Sequence, residues 1–204
     1  MFITLEGPEG CGKSTQAQLL RDYLVGLGKK VLLTIEPGGT KLGQEIRTML
    51  LQPGGKLETM AEILLFAADR AQHVAEIIRP ALAAGQIVIS DRYIDSTIAY
   101  QLGGRRIAED QVRYLNMVSS GGLLPDLTIL LDVSPQVGLA RAKKVHQVDR
   151  FELEKVQFHE RVREKYLELA ANEPERIKVV NADKLEIPEV QTEIQKIVLR
   201  KIGT

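Results

Sequence analysis

The stretch Phe2-Ile3-Thr4-Leu5-Glu6-Gly7-Pro8-Glu9-Gly10-Cys11-Gly12-Lys13-Ser14 decides how this chain is read. Phe2–Leu5 is a short β-type run. Gly7 to Ser14 matches G-x-x-x-x-G-K-[ST] at every fixed position. A helical pattern follows, with Ala17, Leu20, Leu24 and Leu27 stepping by three or four. Strand, Gly-rich turn and helix in that order make a phosphate-binding loop. Glycines let backbone N–H groups turn inward around phosphate oxygens, and the helix N-terminus adds its partial positive charge. Gly7, Pro8, Glu9, Gly10, Cys11, Gly12, Lys13, Ser14 and Thr15 are therefore the candidate cradle for nucleotide phosphates. Lys13 should reach the β- and γ-phosphates, and Ser14 should offer its hydroxyl to Mg²⁺. Cys11 reads as a small loop residue.

Outward from this loop the pattern repeats. Val31–Ile35, Ile87–Ile89, Leu127–Val133 and Ile177–Val180 are short, continuous apolar runs, as buried parallel strands are. Helical periods separate them: Phe158, Val162, Tyr166, Leu169, and later Val190, Ile194, Ile197 and the stem of Lys201. Gly26 and Gly28 close the first helix. Pro37-Gly38-Gly39 breaks the chain after the second strand, and Gly103-Gly104 and Gly121-Gly122 bracket another helix. Ser134-Pro135 reads as an N-cap followed by Pro in the first turn. The expected fold is α/β: a five-stranded parallel sheet with helices on both faces, residues 1–204 forming a single domain.

Composition narrows the function classes. With 27 Lys+Arg against 27 Asp+Glu, the chain has no bulk charge to draw it to nucleic acid or an acidic membrane. One cysteine excludes an internal disulfide framework and a multi-thiolate metal cluster. No apolar run approaches the ~20 residues that span a bilayer, and the N-terminus lacks the basic and apolar regions of a signal peptide. The expected compartment is the cytoplasm.

In such a sheet ligands bind beyond the carboxyl ends of the strands. Residues with chemistry follow the strands here: Glu6-Gly7, Glu36-Pro37-Gly38-Gly39, Asp91-Arg92-Tyr93, Asp132 and Asn181. Asp91 and Asp132 each end an apolar run, and each is a candidate to hold the metal or its water shell. Spacing does not choose between them. Arg92 suits a phosphate oxygen, although an Asp91–Arg92 ion pair would explain both residues structurally. There is no N-K-x-D guanine-reading motif, which favours a small-molecule kinase over a GTPase. His73, His146 and His159 show no metal-ligand spacing and read as surface or helix residues.

Glu36-Pro-Gly-Gly-Thr40, Leu64-Leu-Phe-Ala-Ala-Asp-Arg70, Asp91-Arg-Tyr-x-x-Ser96-Thr97-x-Ala99-Tyr100-Gln101, Pro125-Asp-Leu127, Leu131-Asp-Val-x-Pro135 and Asp149-Arg-Phe-Glu152 occur in that order. Together they make the chain resemble the thymidylate kinase family, a nucleoside-monophosphate-kinase fold, from the phosphate loop to about Asp183. The resemblance implies phosphoryl transfer from ATP, with Mg²⁺, to dTMP. It implies that Phe66 stacks on thymine, that Arg70 bonds the base edge, and that Thr97 and Gln101 contact the base. Tyr100 would sit where a ribose 2′-hydroxyl would be, and Glu9 near the sugar 3′-hydroxyl. From periodicity alone Phe66 reads first as a core side chain, a reading the resemblance reverses; Tyr100 reads as an ordinary half-buried tyrosine and Glu9 as a loop acid. Arg47 is a candidate for the acceptor phosphate or a lone exposed arginine, and Glu36 fixes its loop or touches the metal shell.

The resemblance also places a lid at about 141–150, where Arg141, Lys143, Lys144, His146 and Arg150 form a basic run. Relatives that lack an arginine after the phosphate-loop acid deliver one from the lid, and this chain has Gly10 there. Lys13, Arg92, Arg141 and Arg150 are the candidate catalytic cations, Lys143 a possible substitute, and Ser14 and Asp91 the candidate metal ligands. Homodimerisation is implied as well. The competing readings are a kinase for another nucleoside monophosphate and a nucleotide-binding switch module.

Overall fold

The computed structural model describes residues 1–144 and 149–203. The expectation for His146, and the middle of the expected lid at about 141–150, lie outside the described residues. Five strands, β1 (Phe2–Glu6), β2 (Val31–Ile35), β3 (Ile87–Asp91), β4 (Leu127–Asp132) and β5 (Ile177–Asn181), form one sheet in the order β2-β3-β1-β4-β5. Every pairing is parallel. All five expected strands are present. Strand order reverses at β1, so the loop after β1 stands where α/β sheets open a crevice for ligands.

Side chains alternate across the sheet. Ile3, Leu5, Ile129, Leu131 and Val180 face one side. There they meet Ala17, Leu20 and Leu24 of α1 (Lys13–Gly26) and Val190, Ile194 and Val198 of α9 (Ile187–Ile202). Two expected stripe members fall outside this core. Leu27 is exposed at the cap of α1, because Gly28 at φ 75° has already turned the chain. Lys201 is exposed, and Val198 completes the α9 stripe instead.

On the other face α3 (Thr59–His73), α6 (Glu109–Ser120) and α8 (Val156–Asn172) cover the sheet. Phe158, Val162, Tyr166 and Leu169 all face this core, as their spacing predicts. α2 (Lys41–Leu51) starts at Thr40, whose hydroxyl accepts from Gly43 N at 2.9 Å. α3 runs through a π turn (Val74–Ile78) into α4 (Arg79–Ala83). α5 (Ile94–Thr97) likewise widens into a π segment (Ile98–Gly104), where the sequence suggests a plain helical turn. π turns are rare and favour functional sites. α7 (Pro135–Ala142) follows Ser134, but the Ser134 hydroxyl does not cap it. Both the Ser134 hydroxyl and its N–H donate to Asp183 Oδ1, tying β4 to the segment after β5. Among the described residues, no helix is long and apolar enough to cross a membrane.

Candidate active site

The parallel register aligns the strand ends, so Leu5, Asp91 and Ile35 stand side by side across β1, β3 and β2. Glu6, Glu36 and Arg92 therefore leave the sheet together. Above them lies a cavity of ≈ 690 Å³ whose wall includes Lys13, Ser14, Arg47, Phe66, Arg70 and Gln101.

The phosphate loop wraps around its own lysine. Lys13 Nζ donates to Gly7 O at 3.0 Å and Pro8 O at 2.8 Å, and contacts Cys11 Sγ at 3.4 Å. Gly12 ends the loop at φ 93°, a left-handed conformation that costs a side chain most. Gly10 is needed for close approach: a Cβ there would stand 1.9 Å from the carbonyl oxygen of Gly138 in α7. An arginine at position 10 would collide with that helix. Cys11 is buried, and burial raises its thiol above the ordinary range.

The two metal-ligand candidates separate by their partners. Ser14 Oγ donates to Asp91 Oδ2 at 2.5 Å, so Asp91 stands over the phosphate loop. Asp132 is occupied by Arg163, which donates Nε and Nη2 to its two oxygens at 2.7 and 2.9 Å. Hydroxyl and carboxylate oxygens side by side are hard donors, the kind that Mg²⁺ takes together with substrate phosphates and water.

Arg92, Glu9 and Tyr100 form one linked group. Arg92 Nη2 donates to Glu9 Oε1 and Oε2 at 3.1 and 3.0 Å. Tyr100 donates to Glu9 Oε1 at 2.7 Å. Arg92 Nη1 donates to Gly7 O at 3.2 Å and Ser96 Oγ at 3.1 Å. Burial raises the Glu9 carboxyl, but Arg92, Lys13 and the Tyr100 hydroxyl outweigh it and hold the group at about 2. Arg92 has φ 72°, left-handed backbone that a non-glycine residue adopts only when its surroundings enforce it. Beneath it Glu6 is fully buried and accepts from Tyr93 N (2.8 Å), Ser96 Oγ (2.5 Å) and Tyr166 OH (3.0 Å). Burial, with Asp95 nearby, pushes its carboxyl up to about 7.

Glu36 fixes the loop. Its two oxygens accept from Arg70 Nε and from His73 Nδ1, both at 2.9 Å. His73 Nε2 meets Thr34 Oγ1 at 2.6 Å. Asp69 Oδ1 accepts from Gly38 N at 3.0 Å, and Arg47 Nη1 donates to Pro37 O at 2.7 Å. Arg70 also donates Nη1 to Asn116 Oδ1 at 2.8 Å. Phe66 is half-buried on the cavity wall and 6.1 Å from the Phe151 ring, so it is not a plain core residue. Thr97 and Gln101 are buried on the same wall.

Three expectations need correction. Arg150 does not face the phosphate loop: its Nη1 meets Glu62 Oε2 at 2.6 Å, its Nε donates to Leu50 O at 3.0 Å, and it lies over the Phe151 ring. The turn at Asp149, whose side chain accepts from Phe151 N and Glu152 N, folds it back toward α2 and α3. Arg141 lines the cavity, but its guanidinium donates to Ala182 O at 2.8 Å and Asp183 O at 3.3 Å rather than pointing at the loop. His73 and His159 lie on helices, as read, but are buried rather than at the surface. Sequence reasoning missed Glu62, Asn116 and the inward roles of Asp69, His73 and the Tyr166 hydroxyl. Helical spacing picks out apolar positions, as at Tyr166 on α8, and gives no sign that polar side chains of α3 and α6 face inward too.

A model of the thymidylate kinase family matches residues 5–194. A thymidylate kinase of Leifsonia xyli subsp. xyli is 51% identical over 196 residues, covering 96% of this chain and 92% of that one. One from Synechococcus sp. is 52% identical over 182 residues, covering 89% and 86%. The crystal structure of thymidylate kinase from Ehrlichia chaffeensis superposes with a TM-score of 0.80 at 36% identity, covering 97% of each chain. Matched along nearly its whole length in sequence and in fold, the chain belongs to the thymidylate kinase family.

Proposed function

We propose that the protein transfers the γ-phosphoryl group of ATP to dTMP, giving dTDP and ADP. One observation carries this reading: a single cavity joins Lys13 and Ser14 of the phosphate loop to Phe66, Arg70, Thr97 and Gln101. Donor phosphates and a planar base edge thus share one space. Family membership supports the same substrates.

In this reading an oxygen of the acceptor phosphate attacks the γ-phosphorus, and the bond to the β,γ-bridging oxygen breaks. The acceptor is already an anion, so no strong base is required. Catalysis is positioning and neutralisation of charge spread over the transferring group. Lys13 holds the donor phosphates. Arg92 and Arg47 meet the acceptor phosphate, and Glu9 keeps Arg92 aimed. Ser14 and Asp91 would hold Mg²⁺, which supplies charge neutralisation at the donor phosphates when bound. Phe66 stacks on the base, and Tyr100 closes the space beside the sugar. Arg141 and the basic residues near it form a lid over the donor, Arg141 reaching the phosphates only after releasing Ala182 and Asp183.

We read residues 1–204 as one kinase domain with the lid at about 141–150, because all five strands share one sheet. We further read the protein as a cytoplasmic homodimer. Leu64 of α3 and Tyr114, Met117 and Val118 of α6 are exposed on helices that pack against each other, which supports a self-association face. Phosphorus NMR of the protein with ATP, Mg²⁺ and dTMP tests the reaction. Paired growth of dTDP and ADP signals is expected; ADP with free phosphate and unchanged dTMP would contradict it.

A further inference from the structure

Glu62 takes no part in the mechanism above, yet it is 1% exposed and sits at a junction of the site. It accepts from Arg105 Nε and Nη2 at 3.0 and 3.1 Å, from Arg150 Nη1 at 2.6 Å, and from Gln101 Nε2 at 3.1 Å. Every partner is a donor. We propose that Glu62 is a positioning residue for base selection: it fixes the Gln101 amide so that the carbonyl oxygen, not the amino group, is presented to the acceptor base.

A side-chain amide has one donor end and one acceptor end. A carboxylate between two guanidiniums has only acceptors to offer, so Gln101 must turn its NH₂ toward Glu62. Gln101 Oε1 takes no hydrogen bond from any described residue, and Gln101 lines the cavity. The π segment contributes to this placement. Its wide turn sets Gln101 on the cavity wall with Thr97, and Arg105, bonded to the same carboxylate, caps its end.

An acceptor at this point matches the N3–H of thymine or uracil. It opposes cytosine, whose N3 is itself an acceptor. Two lone pairs facing each other leave buried groups unpaired, the strongest form of discrimination open to a small site. The same carboxylate holds Arg150, and with it the turn that carries Phe151 to Phe66 and Tyr100. Glu62 therefore sets the base wall from two sides.

This inference rests on the dTMP reading, and its test separates the two. Dissociation constants for dTMP and 5-methyl-dCMP would be measured by calorimetric titration on the wild type and on Glu62→Gln. The two ligands share methyl, sugar and phosphate and differ only at the base edge. Their ratio is independent of the fraction of active protein. A wild-type preference for dTMP is expected, and Glu62→Gln should shrink it about tenfold or more, because an amide in place of the carboxylate can donate and lets the Gln101 amide turn over. An unchanged ratio with both ligands weakened alike would overturn the inference and leave Glu62 merely structural. If Glu62→Gln does not fold, Gln101→Met leaves Glu62 and both arginines in place; it should shrink the ratio by a similar factor, and an unchanged ratio overturns the inference. A wild type that prefers neither ligand would overturn the thymine-site reading itself.

Discussion

Several interactions converge on the Arg92 side chain. The residue leaves β3 in left-handed backbone and reaches Glu9, Gly7 O, Ser96 and Tyr100 at once. A planar guanidinium does this; a lysine is a single charge with a shorter reach across partners. Arg92→Lys should keep the fold and lower kcat on the order of 10²-fold, the loss typical of removing one preorganised charge donor. Steady-state kinetics would show it, and a kcat near wild type would remove Arg92 from the reacting centre. Two carboxylates nearby titrate with opposite sign. Glu6 has a folded value of about 7 against 4.5 unfolded, so the folded state holds the extra proton. Its contribution is largest below 4.5 and is lost as pH rises through 7. Glu9, at about 2, contributes above 4.5 and loses that contribution as pH falls toward 2. Denaturant unfolding between about pH 5 and 8 should therefore show a falling component in the wild type that Glu6→Gln removes. Equal slopes in both proteins would contradict the assignment.

At the scale of elements, the contact between the phosphate loop and α7 decides how the loop is held. A Cβ on Gly138 would lie 2.2 Å from Glu9 O, and one on Gly10 would meet Gly138 O. Gly138→Ala must push the loop or the helix away, moving the Glu9–Arg92 pair with it. Misplacement of about 1 Å can cost on the order of 10²-fold in rate, so kcat should fall steeply, and the thermal midpoint should fall with it because both colliding groups are backbone. Full activity in Gly138→Ala would show the contact to be slack. These elements differ in how far the chain announces them. The strand–loop–helix at Phe2–Gly26 is written locally, in apolar run, glycines and helical period. Arg150 is not: it belongs by sequence to a basic run, but the Asp149 turn returns it to Glu62, far back in the chain. Glu62, His73 and Asn116 were illegible for the same reason. A polar residue inside an amphipathic helix shows its partner only when the other helices are in place. The π segment after α5 was equally hidden, since widening a turn by one residue leaves no periodic mark in so short a stretch.

At the scale of the whole molecule, the strand order puts chain reversal at β1, and the site follows from that topology. The sheet, its five strands and its two helical layers were readable from alternation of short apolar runs with helical periods. The outer surface was less so: Glu58–Ala84 is rich in Ala, Leu and Ile, but only the fold shows that Leu64 of α3 and Met117 and Val118 of α6 remain outside. For the proposed homodimer, Leu64→Asp should lower the mass seen in light scattering from dimer to monomer without changing the far-UV spectrum. An unaltered mass would contradict self-association through this face. The reaction itself is tested most directly by ADP release from ATP and Mg²⁺ with dTMP, dUMP, ribo-TMP, dCMP, AMP or no acceptor, side by side. Strong stimulation by dTMP, weak stimulation by the ribonucleotide and dCMP, and little release without acceptor are expected from Tyr100, Gln101 and Arg70. Equal release with every acceptor, or with none, would leave a nucleotide-binding loop and contradict the thymine site.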